Sequence, residues 1–133
     1  MKILILGKLP EDEEKKKLYE SIINVCKDFV EEISSPIDTA EFKGNDKERY
    51  ERAFEKVKES DLIIGEQSEP STGQGMEIRE AAVLNKPLVV IAKTGSKISG
   101  LIKGCPALKE IIYYDDIEDL KSKLLDFLKN WRK

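Results

Sequence analysis

The ten residues Ser68-Glu69-Pro70-Ser71-Thr72-Gly73-Gln74-Gly75-Met76-Glu77 follow an apolar run from Asp61 to Glu66 and lead into a helical pattern. A strand-loop-helix joint of this composition is suited to holding an anion. Gly73 and Gly75 let the backbone approach a ligand closely, and a helix N-terminus presents unpaired N–H groups. The reactive group in the segment is the Glu77 carboxylate. Placed in the first helical turn, it would be kept ionised by the helix dipole, by about 0.3–1 kcal/mol at an exposed site, and so available as a nucleophile. Two plainer readings compete: a first-turn glutamate often only complements the dipole, and a glycine pair often only makes a tight turn.

The helix beyond the loop orients that carboxylate. Ile78, Ala81, Ala82 and Asn85 share one stripe, Arg79, Glu80 and Val83 lie on the other side, and Glu77 flanks the apolar stripe beside Ala81 and Leu84. Ser71 stands six residues before Glu77, where its hydroxyl serves as helix N-cap, as a phosphate ligand, or as both.

Strands alternating with amphipathic helices must position this joint. Lys2 to Gly7 is an almost continuous aliphatic run, as expected of a strand buried on both faces. A helix from about Glu13 carries Leu18, Ile22, Val25, Cys26, Phe29 and Ile33 at helical spacing and is expected to end before Ser34-Ser35-Pro36. The residues from Ile37 to Phe42 read as a weak second strand. A helix capped by Asn45 or Asp46 should bury Tyr50, Ala53, Phe54 and Val57. Further strands are expected at Leu62 to Glu66, Pro87 to Ala92 and Glu110 to Tyr114. Between them lie the Glu77 helix, running to about Asn85, and a short helix near Ile98 to Lys103; the last helix, capped by Asp115 or Asp116, buries Ile117, Leu120, Leu124, Leu128 and Trp131.

Five strands separated by helices predict an α/β fold, a doubly wound parallel sheet of flavodoxin-like order 2-1-3-4-5 with helices on both faces. Ligands of such sheets bind outside the carboxyl ends of the strands, at the switch point between the first and third. Here those ends are Gly7-Lys8 and the loop from Gln67 to Gly75, which makes Gly7 and Lys8 candidate phosphate contacts beside Ser71, Gly73 and Gly75.

A length of 133 residues with 40% hydrophobic content suits one compact domain over 1–133. With 23 basic and 26 acidic residues, a net charge of −3 and no basic stripe interleaved with aromatics, nucleic acid is disfavoured as a partner. Charged residues reach 37% and glutamine occurs only at Gln67 and Gln74, a balance found in proteins of hot environments. The chain has no histidine, which removes serine-hydrolase triads and the commonest metal ligand; Cys26 and Cys105 lack metal or disulfide spacing. No metal or cofactor is expected. No run approaches the roughly 20 apolar residues that span a bilayer and no signal peptide is evident, so a cytoplasmic protein without membrane contact is expected. A P-loop, a dinucleotide fingerprint, a receiver domain and a flavin site each lack their defining residues.

Pro70-Ser71-Thr72-Gly73-Gln74-Gly75-Met76-Glu77 after Asp61-Leu62-Ile63-Ile64-Gly65-Glu66 resembles the nucleoside 2-deoxyribosyltransferases, and most of all their hydrolytic relatives, the 2'-deoxynucleoside 5'-monophosphate N-glycosidases. The resemblance implies that Glu77 is the nucleophile attacking the sugar C1' and that Ser71 binds the 5'-phosphate. The segment Ser99 to Gly104 resembles the family stretch whose serine reaches the site of a neighbouring subunit, which implies a homodimer; Ser99 read alone is a turn residue beside Gly100. Three family features are missing, one of them the small, polar, arginine-containing phosphate loop of the hydrolases, in whose place Gly7-Lys8-Leu9-Pro10 stands. The first strand has Leu4 or a neighbour in place of a tyrosine, and Ala53 stands where the family has the aspartate proposed to protonate the leaving base.

Retaining cleavage of an N-glycosidic bond calls for a second carboxyl about 5 Å from the first. Asp38 is the first candidate acid, ahead of Glu41, Glu66 and Glu69. The expected ligand is a nucleoside 5'-monophosphate or a nucleoside. Against the hydrolase or transferase reading stand a nucleotide-binding or regulatory protein that has lost the chemistry, for which Ala53 argues, and a TIR-like sugar-nucleotide hydrolase on a similar sheet.

Overall fold

A computed structural model of the chain describes residues 1–131; the last two positions of the expected 1–133 domain lie outside the described residues. Its five strands, β1 (Lys2–Leu6), β2 (Glu32–Ser34), β3 (Leu62–Glu66), β4 (Leu88–Lys93) and β5 (Leu108–Tyr114), form one sheet of order β2-β1-β3-β4-β5, with every neighbouring pair parallel. The expected order is therefore the observed one. In the central pair Leu6 stands opposite Gly65, so the two strands end together and open the switch point beside both.

Alternate residues of each strand feed two cores, because successive strand side chains point to opposite faces. On one face Ile3, Ile5, Leu62, Ile64, Val89 and Ile91 pack against α1 (Glu13–Cys26) and α6 (Ile117–Trp131), with Tyr19 and Leu124 fully enclosed. On the other, Leu4, Leu6, Ile63, Leu88 and Val90 meet Val57 of α3 (Asp46–Glu59) and Ile78 and Ala81 of α4 (Thr72–Val83), beside α5 (Gly100–Lys103). The second core matters for the site, since it presses α4 against β3 and fixes which face of α4 looks inward.

Three local expectations need correction. The first helix stops at Cys26, and Ile33 belongs to β2, which pairs with β1 from Lys2↔Glu32 to Leu4↔Ser34. The stretch from Ile37 to Phe42 is helical, forming α2 (Pro36–Glu41) rather than a strand. Its start is built by Ser35, whose hydroxyl accepts the Ile37 N–H while the Asp38 carboxylate accepts the Ser35 N–H at 2.9 Å; Pro36 supplies the first helical φ. A serine and a carboxylate three apart around a proline at N1 is a strong nucleation signal, and it outweighs the weak β-propensity of so short a segment. Finally, Tyr50 is 58% exposed on α3, against the expected burial, and its ring leans on that of Phe54 at a tilt of 49°.

The other helix ends follow the chemistry of their residues. Asp12 caps α1 through the Lys15 N–H, Asp116 caps α6 through the Asp119 N–H, and α4 stops where Asn85 takes a positive φ of 55°. No helix among the described residues is long and apolar enough to cross a membrane.

Candidate active site

The helix that carries Glu77 begins earlier than expected. Ser71 is its N-cap, the Ser71 hydroxyl accepting the Gln74 N–H at 3.3 Å, and Thr72 is its first residue. Glu77 thus lies in the second turn, beyond the reach of the terminal dipole that the sequence reading invoked. Its electrostatics change sign accordingly. Burial pushes the Glu77 carboxyl up to about 7, opposed in part by the positive charge of Arg52. A carboxyl poised near neutrality is a common property of catalytic groups.

Glu77 opens into a cleft of about 440 Å³ at the carboxyl ends of β1 and β3. Gly7 and Lys8 form one wall, α2 and α3 contribute Thr39, Phe42, Arg49, Arg52 and Ala53, and α4 contributes Ser71, Gly73, Gln74 and Glu77. The switch point predicted from topology and the motif predicted from sequence therefore meet in one place. The β1 wall is held rigidly, because Tyr19 donates its hydroxyl to the Lys8 carbonyl at 2.5 Å and a Cβ on Gly7 would stand 2.3 Å from that hydroxyl oxygen. Only glycine fits there.

Gly73 and Gly75 have a different explanation. Both are helical, neither has a positive φ, and a Cβ on either would meet nothing within 4 Å. The chain's own packing demands neither glycine, although each costs the helix about 0.5–1 kcal/mol relative to alanine. Gly73 faces the Glu77 cleft, whereas Gly75 faces a second cleft with Ser99.

The arginines of α3 were not identified from sequence. Arg52 donates to the Thr39 hydroxyl at 3.3 Å and Arg49 to the Phe42 carbonyl at 3.1 Å, and their guanidinium carbons stand 5.2 and 5.8 Å from the centre of the Phe42 ring. Phe42 and its two cations make a flat, positively charged wall. The spacing of Arg49 and Arg52 with Ala53 was the available signal, since positions three and four apart share a face. Ala53, expected in the core, lies on this wall.

Several expected contributors lie elsewhere. Asp38 is exposed, closes the capping box of α2 and is not among the cleft's lining residues. The Glu66 carboxylate, 1% exposed, accepts from the Tyr114 hydroxyl at 2.5 Å and from the Ser68 N–H and hydroxyl at 2.8 and 2.9 Å. Those bonds pin the β3 loop to β5. Glu69 pairs with Lys15 at 2.9 Å and Lys8 at 3.4 Å, and the nearby lysines hold its carboxyl below the usual range. Lys8 lines the cleft, its ammonium favoured by Glu11 and Glu69. Ser99 caps α5 and lies outside the Glu77 cleft of its own chain.

A larger cavity of about 800 Å³ opens between α1 and α6, but seven carboxylates and three lysines line it. Such a wall repels the anions for which the α4 N-terminus is suited. Among the described residues no cluster of His, Cys, Asp and Glu is arranged to hold a metal ion.

The parallel sheet and strand-end cleft define a deoxyribosyltransferase-like fold. A CMP N-glycosidase of Clostridium botulinum superposes with a TM-score of 0.76 at 19% identity, covering 93% of this chain and 97% of that one. A 2-deoxyribosyltransferase of Bacillus psychrosaccharolyticus gives 0.70 at 19%, covering 96% of each. No family model matches the chain. A 2'-deoxynucleoside 5'-phosphate N-hydrolase 1 of Syntrophotalea carbinolica is 32% identical over 136 residues, spanning 96% of this chain and 94% of its own, and a 5-hydroxymethyl-dUMP N-hydrolase of Danio rerio is 26% identical over 95% and 94%. The chain belongs to the 2'-deoxynucleoside 5'-phosphate N-hydrolase family.

Proposed function

We propose that the protein cleaves the base–sugar bond of a nucleoside 5'-monophosphate with Glu77 as nucleophile. The observation that carries this reading is the Glu77 carboxyl, raised to about 7 in a cleft that also holds a helix N-terminus and two arginines. Family membership supports it, as the relatives are named for nucleotide N-hydrolysis.

The phosphate sits at the start of α4, against the Ser71 hydroxyl and the backbone around Gly73, with Lys8 across from it. Glu77 Oε attacks C1', the C1'–N bond breaks, and its electron pair leaves with the base. Ala53 provides no proton at the position of the family's aspartate, and the cleft's other carboxyl, Glu11, is exposed and paired with Lys8 at 3.6 Å. Arg52 and Arg49 instead stabilise the negative charge that develops on the base, which then takes a proton from water; a guanidinium supplies charge and hydrogen bonds but not a proton at neutral pH. Water finally attacks C1', its released proton neutralising the hydroxide left when the base was protonated, and the C1'–Oε bond breaks, freeing the Glu77 carboxylate and a sugar 5-phosphate with retained configuration. A second base as acceptor would make the same enzyme a transferase.

A second copy of the chain completes the site. Leu101, 90% exposed, lines the Gly75 and Ser99 cleft, which shares Ser71 with the Glu77 cleft, and Met76 next to Gly75 in the chain is 47% exposed. A dimer through this face places Ser99 beside the neighbour's phosphate.

Base release from a panel of ribo- and deoxyribonucleoside 5'-monophosphates, with Glu77→Ala alongside, tests the reading. Release by the native chain and none by the variant is expected. Ala53 favours one other reading, a nucleotide-binding protein without turnover, since loss of general acid catalysis removes about 10²- to 10⁴-fold in rate. Thermal stabilisation by nucleotides with no base released from any of them would establish that reading instead.

A further inference from the structure

Gln74 is 2% exposed, yet neither its amide nitrogen nor its amide oxygen has a hydrogen-bond partner. Among the described residues it is the only buried side chain in this condition. The fold makes room for it: its Oε1 lies 3.2 Å from where a Cβ on Gly65 would stand, so a larger residue at that point of β3 would crowd the amide. Both amide atoms are enclosed between α4 and Gly65 of β3 and left unsatisfied there, while the residue itself lines the Glu77 cleft, so the amide meets a ligand by turning from Gly65 toward that cleft. A buried amide with a free donor and a free acceptor disfavours folding unless something else completes it.

Its place on α4 indicates what does. Ser71, Gln74 and Glu77 recur every third residue and share one face, with successive positions about 4.5 Å apart along the axis. With a phosphate at Ser71 and C1' at Glu77, the part of the nucleotide lying over Gln74 is the furanose ring. The ring's polar groups on carbons 2' and 3' are hydroxyls, each both donor and acceptor, which is the complement of an unpaired carboxamide.

We infer that the Gln74 amide binds a ring hydroxyl of the sugar and so sets which pentose the cleft accepts. This rests on the nucleotide reading above. It adds a specificity-determining residue between the phosphate end and the reacting carbon.

The test uses four 5'-monophosphates of one base, carrying ribose, 2'-deoxyribose, 3'-deoxyribose and 2',3'-dideoxyribose. Their dissociation constants are measured by calorimetry on Glu77→Gln, which does not turn over, with and without Gln74→Leu. With Gln74 present, loss of the recognised hydroxyl should weaken binding roughly five- to tenfold. In Gln74→Leu the same comparison should fall below about twofold, and its melting temperature should not drop, because an unpaired amide is replaced by an apolar group of similar size. Gln74→Met provides the same readout should leucine disturb the helix. Unchanged discrimination in the variants, or equal weakening of all four ligands, overturns the inference while leaving the nucleotide site standing. Binding of none of the four overturns both.

Discussion

The Arg52 guanidinium and the Glu77 carboxyl share one cleft, and the attraction between them opposes the burial that raises Glu77 to about 7. Arg52 therefore holds the Glu77 carboxyl closer to its ionised form. Removing it should push Glu77 further up. In Arg52→Leu the acid limb of the pH–rate profile should move to higher pH than in the native chain, where it should centre near 7. An unmoved limb, read from kcat/KM against pH, would separate Arg52 from Glu77.

The same burial makes Glu77 a cost to the fold. Its folded pKa of about 7 lies above the usual carboxylate range, so between about pH 4.5 and 7 the native state binds more protons than the unfolded one, and stability falls as pH rises through that window. Glu77→Gln carries no charge to desolvate. It should leave stability little changed at pH 4.5 and raise it above pH 7, by an amount on the order of 1 kcal/mol or more. Melting temperatures of both proteins from pH 4.5 to 8.5 check this, and a constant difference across that range would argue against a buried, shifted carboxyl.

Gly73 separates packing from ligand approach. Since a Cβ there meets nothing and the residue is helical, Gly73→Ala should stabilise the free protein by about 0.5–1 kcal/mol. It should at the same time weaken nucleotide monophosphate binding by tenfold or more, because the methyl group occupies the path of the phosphate to the helix amides. A variant that is stabilised and binds as well as the native chain would show that no ligand approaches there.

Much of this site was readable before any coordinates. The continuous aliphatic runs of β1 and β3 and the Ser71 to Glu77 segment led to the switch point, because strands buried on both faces leave an unambiguous pattern. The region of β2 and α2 was not read correctly, for two physical reasons. Phe29 and Ile33 fit a helical period by chance although only Ile33 enters a strand, one of three residues. The capping box at Ser35 and Asp38 was a local signal that outweighed β-propensity and was available to be read. The rest depends on tertiary placement. Which face of α3 looks at β1 decides that Arg49, Arg52 and Ala53 line a cleft, and how deeply α4 packs decides that Glu77 titrates near 7 rather than low. Neither is encoded in residue spacing alone.

The most direct measurement is a rapid acid quench of the protein during turnover of a nucleoside 5'-monophosphate, followed by peptide mass mapping. A pentose 5-phosphate ester on the peptide containing Glu77, absent in Glu77→Gln, is the predicted result. Sugar attached to any other residue, or base released at the native rate by Glu77→Gln, would contradict the assignment of Glu77 as the nucleophile.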